Sequence, residues 1–189
     1  MLAMPMSKAN KDLFGKTIRR KENRFGAILK KYDKRTLSDR AQRLQWINRV
    51  FPKGYNFVMS PETFYIFDEA KMAFVNGQFI GTILLASAFI EHWLGLHLES
   101  KGFHKEAKKG LAAIIECAQK NGLVHEYLLN KADDLRKIRN PFVHLKPFDH
   151  HHRITQRAMK SLSDPIIIMD KDARDALSIM YTIATSSLH

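Results

Sequence analysis

From Met72 to Ile90 the chain carries no charged residue, and a stretch near that length must either cross a bilayer or be buried by the rest of the protein. Asn76, Gly77 and Gln78 interrupt it, and Glu91 with His92 ends it. A turn signal and an acid are poor bilayer material, so the stretch reads as parts of a buried core, and no membrane partner is expected. The part after the turn, Phe79 to Ser100, places Ile83, Leu84, Ala88, Ile90, Trp93, Leu94 and Leu98 around most of a helix, with Gly102 closing it. This is the expected central helix.

Around it, helical periodicity predicts further elements. Ser60 ahead of Pro61 and Glu62 marks a start, because a serine oxygen accepts from the free amides of a first turn and proline suits the first helical position. Phe64, Phe67, Ala70 and Phe74 follow at helical spacing, and Asn76-Gly77 stops them. A third segment, His104 to Lys120, carries Leu111, Ile114, Ile115 and Ala118 on one stripe before Asn121-Gly122. Leu128, Ala132, Leu135 and Ile138 carry the period on past Asn130. Pro147 and Asp149-His150-His151-His152 read as a surface loop. Ile154 to Leu162 reads as a short helix that Pro165 breaks, and Ile166 to Ile168 as a buried connector or an isolated strand. Asp170 is expected to cap a last helix bearing Ala173, Ala176, Leu177, Met180 and Ile183. The sum is an all-α bundle of four or more main helices, whose short connections favour antiparallel neighbours.

A net charge of +12, from 31 Lys and Arg against 19 Asp and Glu, favours a polyanionic partner. Between Lys8 and Arg43 thirteen basic residues face four acidic ones. Residues 1–45 are therefore a basic N-terminal arm and residues 46–189 the folded domain. Trp46 to Tyr55, where an aromatic run meets Pro52 and Gly54, is expected to connect the two while packing on the core. The arm reads either as a solvated tail or as a phosphate-contacting element. The single Cys117 cannot form an internal disulfide and no cleavable leader opens the chain, so a cytoplasmic protein is expected.

Between Asp133 and His144 the sequence gathers Arg139, Asn140, Pro141 and His144. Pro141 has no amide hydrogen and disfavours helical geometry at the residue before it, so the helix is expected to end or kink near Asn140. Five residues of unbroken helix would set His144 roughly 140° around from Arg139, and a break relaxes that. The residue types suit cleavage of an RNA phosphodiester. An imidazole with an unperturbed pKa of about 6.5 takes and gives protons at neutral pH. A guanidinium presents a charged fork to phosphate oxygens, and Asn140 supplies a neutral hydrogen bond to the imidazole or the ribose. Attack by the RNA's own 2′-hydroxyl would leave a 2′,3′-cyclic phosphate. In the competing reading Arg139 pairs with Asp133, Asp134 or another acid, and His144 is a satisfied core histidine beside Phe142 and Val143.

The run Arg139-Asn140-Pro141-Phe142-Val143-His144 resembles the Arg, polar residue, short spacer and His signature of the HEPN superfamily, the higher-eukaryote-and-prokaryote nucleotide-binding domains. The apolar helix from Leu84 to Leu94 resembles that family's early core helix, and Trp46 to Tyr55 resembles a segment of one uncharacterised branch. The resemblance spans Ser60 to the C-terminus. It implies a four-helix up-and-down bundle that forms a homodimer with Arg and His of both subunits in one cleft, and it leaves the additional basic N-terminal helical arm unexplained. It implies a metal-independent endoribonuclease, acting as a toxin or defence effector, with an antitoxin protein as a partner. Arg139, Asn140 and His144 would be catalytic, and Arg19, Arg20, Lys30, Lys31 and Lys146 the candidate RNA contacts. The alternative is a non-catalytic dimeric helical module that binds nucleic acid, a nucleotide or a protein partner.

The remaining candidates carry less. Adjacent histidines at His150 to His152 point in different directions and no second ligand group has metal spacing, so no metal or cofactor is expected. Glu91 and His92, inside the apolar helix, read as a buried hydrogen bond or a helix-to-helix contact, and Glu91 is alternatively a candidate to hold Arg139. Cys117 reads as inert core. No glycine-rich phosphate loop, nucleotide fingerprint or serine elbow occurs.

Overall fold

The computed structural model describes residues 19–51 and 59–186, and side chains of the first segment from Arg24 onward. The described residues are all-helical, with no strand among them. In chain order the helices are α1 Arg19–Val50, α2 Pro61–Val75, α3 Phe79–Ser100, α4 His104–Ala107, α5 Leu111–Lys120, α6 Glu126–Val143, α7 Ile154–Ser161 and α8 Pro165–Thr185. The chain divides into two units, Met1–Gln42 and Arg43–His189.

In the first unit α1 is a largely exposed helix, in which Arg40 Nη2 meets Asp33 Oδ1 at 2.9 Å. In the second unit the core is organised on α3, which packs against α2, α4, α5, α6 and α8. Ile83, Ile90, Leu94 and Leu98 are fully buried along it. They share one face, and Phe89 and Gly95, buried on either side of it, widen the covered arc as a helix surrounded by others requires. α3 is apolar and long enough to cross a bilayer, yet half of its most apolar window is buried within the protein.

The predicted starts and stops have local causes. Ser60 Oγ accepts from the Thr63 amide at 3.3 Å and opens α2. Phe67, Ala70 and Phe74 are buried, while Phe64 at the same spacing faces outward. Gly77 takes φ +76° between α2 and α3, a backbone that L side chains resist. Gly95 serves differently, since a Cβ there would stand 3.1 Å from the Ala107 carbonyl oxygen. Its absence lets α4 approach α3. Arg43 Nε donates to the Val75 carbonyl at 3.0 Å, and the Trp46 ring lies 5.1 Å from that of Phe74.

Several expectations are corrected. Of the segment Trp46 to Tyr55, Trp46, Ile47 and Phe51 pack on the core, with Trp46 to Val50 as the end of α1 rather than a connecting segment, and Pro52 to Tyr55 lie outside the described residues. His104 to Lys120 is two helices, because the segment Lys108 to Gly110 opens the chain and Gly110 sits at the start of α5 in extended geometry. Ile166 to Ile168 is neither connector nor strand. Asp164 Oδ1 accepts from the Ile166 amide at 2.8 Å, and Pro165 occupies the first turn of α8. Proline there starts a helix instead of breaking one, and Ile166 and Ile167 are exposed. Asp170 consequently lies inside α8, paired with Arg174 at 2.6 Å, and caps nothing. Ala173, Ala176, Leu177, Met180 and Ile183 are buried on the face predicted for them.

Candidate functional site

Along the polar side of α6 a helical ladder of charge forms first. Asp133 accepts from Arg136 Nε at 2.7 Å and meets Lys137 Nζ at 2.8 Å, three and four residues ahead. Burial would raise the Asp133 carboxyl, but the hydrogen bonds from Lys137 and Arg136 outweigh it and hold the group below its ordinary value. Arg139, six residues beyond Asp133 and on another side of α6, faces α3. Its Nη2 lies 3.6 Å from Glu91 Oε2, with both side chains partly buried. That distance is an ion pair without a close hydrogen bond. The Arg139 Nε is buried and has no hydrogen-bond partner, as does Ser87 Oγ. A buried donor left unsatisfied is uncommon and asks for an explanation.

The predicted break at Asn140 is not where the helix ends. α6 continues through Pro141 to Val143, and the His144 amide still donates to the Asn140 carbonyl at 2.8 Å. Proline deletes its own ladder bond to Lys137 and no other, which the last turn tolerates. The chain leaves the helix at His144, which has φ −125° and ψ 130°. That exit relaxes the angle between Arg139 and His144, four residues later than the sequence suggests.

As a result Arg139, Asn140 and His144 line one open groove of about 320 Å³, together with Arg136. Gly110 to Ala113, at the start of α5, form its other wall. His144 is exposed and is no core histidine. On the other side of Arg139 a second groove of about 330 Å³ lies between α3 and α6, lined by Leu84, Ser87, Ala88, Glu91 and His92. Arg139 is thus shared by two grooves. A larger cleft of about 470 Å³ between α6 and α8 holds none of Arg139, Asn140 and His144.

The other sequence candidates scatter. Lys146 is half-buried and lines neither groove; its carbonyl accepts from Arg153 Nη1 at 3.2 Å. Lys30 and Lys31 are exposed on α1 in the first unit. The side chains of Arg19 and Arg20 lie outside the described residues. His150 and His151 stack with ring centroids 4.9 Å apart, and the His152 ring is tilted by 46° against that of His151 at 4.1 Å. Among the described residues no group of three or more His, Cys, Asp or Glu is placed to hold a metal ion. Sequence reasoning missed Ser87, and gave His92 a buried hydrogen bond or a helix contact, whereas it is exposed in the second groove. The available signal was the spacing of Leu84, Ala88 and Glu91 with Ser87 and His92, which sets all five toward one side of a helix. A comparison with family models, with curated proteins and with solved structures finds no match to this chain.

Proposed function

We propose that this chain is a metal-independent endoribonuclease of HEPN type, built on a four-helix up-and-down bundle and acting as a homodimer. The observation that carries the reading is the groove in which Arg139, Asn140 and an exposed His144 converge. In the proposed reaction the His144 imidazole takes the proton of the ribose 2′-hydroxyl, whose oxygen then attacks the adjacent phosphorus. Arg139 stabilises the charge that develops on the phosphoryl oxygens. The bond to the 5′-oxygen breaks, that oxygen receives a proton from an imidazolium, and a 2′,3′-cyclic phosphate remains. A second copy of the chain would supply the second imidazole across a shared cleft. Arg136 beside the groove is already paired with Asp133.

The ion pair between Arg139 and Glu91 favours a second reading, since it already neutralises the guanidinium. There the same grooves bind a nucleic acid, a nucleotide or a protein partner without chemistry. Purified protein and a His144→Ala variant, each incubated with mixed RNA and a chelator, separate the two. Cyclic-phosphate ends from the parent alone support the nuclease. No cleavage by a folded parent sinks it in favour of the binding module.

A further inference from the structure

The first unit presents a second surface. On α1, Phe25, Ile28, Leu29 and Tyr32 are 64%, 55%, 63% and 46% exposed. At about 3.6 residues per turn they fall within an arc roughly 100° wide, the width of stripe that a soluble helix turns toward a core. Arg24, Lys31 and Arg35 flank one edge of the arc and Lys30 and Lys34 lie on the opposite side, all of them exposed. Asp33, the acid nearest to them, is engaged by Arg40 at 2.9 Å. From Arg19 to Gln42 nine basic residues stand against three acidic ones.

The occupant of this face must accept both an aliphatic stripe and a row of cations. A second copy of α1 would cover the stripe but bring two sets of like charges together. RNA would satisfy the cations and allow Phe25 and Tyr32 to stack on bases, yet it gives Ile28 and Leu29 no apolar medium. An anionic bilayer surface supplies an acyl boundary for the stripe and phosphates for the Lys and Arg on its flanks. We infer that α1 docks in the plane of an anionic lipid surface through Phe25, Ile28, Leu29 and Tyr32, with Arg24, Lys31 and Arg35 at the headgroups. This departs from the expectation, drawn from the interrupted stretch Met72 to Ile90, that the chain has no membrane partner. This inference is independent of the nuclease reading.

The test is co-flotation of the full chain with vesicles of phosphatidylcholine mixed with phosphatidylglycerol, beside vesicles of phosphatidylcholine alone. The protein should float with the mixed vesicles only, and less as salt rises. A variant carrying Phe25→Ser, Ile28→Ser and Leu29→Ser should bind the mixed vesicles about tenfold more weakly or worse. Its melting temperature should match the parent's, because all three side chains are exposed. A second variant, Lys31→Glu with Arg35→Glu, should also lose flotation. Failure of the parent to float at low salt, equal flotation with both vesicle types, or a serine variant that floats like the parent would each overturn the inference. Binding of RNA with no binding of vesicles would overturn it too and return α1 to nucleic acid.

Discussion

Arg157 and Arg139 both meet a carboxylate on a neighbouring helix, and the two pairs are built to different standards. Arg157 grips Asp172 with both terminal nitrogens, Nη2 to Oδ1 at 2.7 Å and Nη1 to Oδ2, and Asp172 is 2% exposed. The Asp172 hydrogen bond holds Arg157 more firmly protonated than usual. Arg139 reaches Glu91 only at 3.6 Å, leaves its Nε without a partner, and borders two open grooves. A bidentate, desolvated pair has its geometry fixed and ties α7 to α8. An under-satisfied pair keeps bonding capacity in reserve. The first arginine is structural, and the second is the one a ligand can still engage.

Asp172→Ala should produce the largest effect. Removing one partner of a buried pair strands the other, at a cost of about 3–5 kcal/mol. Equilibrium urea denaturation measures it. A loss under about 1 kcal/mol, the scale of an exposed pair, would erase the distinction between the two arginines.

Arg139→Lys sharpens the contrast from the other side. Its loose, partly exposed pair is worth at most about 1 kcal/mol, so the urea midpoint should barely move. Cleavage of RNA, under the proposed function, should fall about a hundredfold or more, because an ammonium cannot present the planar fork. A large stability loss with unchanged cleavage would make Arg139 another Arg157. Glu91→Gln stands between: stability should shift by a few tenths of a kcal/mol, the low end for exposed ion pairs. Binding of a short RNA should then tighten, since the guanidinium loses its competing anion. Weaker binding on the same titration would place Glu91 on the ligand side instead.

The difference between the pairs is also where sequence reading stops. α3 was legible to its ends, because a long helix without charge as far as Ile90 and bounded by turn glycines has few other solutions, and so was the buried face of α8. The start of α8 was misread because Asp164-Pro165 and Asp170 both look like caps, and only packing decides between them. At the site, Arg139, Asn140 and His144 could be singled out by residue type, but two things depended on tertiary structure. Pro141 does not break α6, and the exit at His144 does the aiming. Glu91 lies 48 positions before Arg139 in the chain, and Asp133, six residues back on α6, is no helical neighbour of Arg139, so the pairing follows from how α6 packs on α3. Asp172 as the partner of Arg157 had no local signal at all.

The smallest expected effect tests whether the two pairs also differ in their response to pH. His152 lies near Arg157 rather than Arg139 among the groups that act on it. Its imidazole is held below the ordinary value of 6.5, by burial first and then by the nearby charges of His151, His150, Arg157 and Lys137. Folding therefore favours the neutral ring. The stability this contributes is complete above about pH 6.5 and is lost as pH falls below that through the lowered value of the folded state. Acidification places charge beside the saturated Arg157 pair, so the α7–α8 contact should loosen. His152→Gln removes the titrating group, and its urea midpoint should decline less between pH 7 and pH 5 than the parent's. Parallel declines would mean that His152 titrates alike in the folded and unfolded chains, and the acid sensitivity would then have to be sought in His150 or His151.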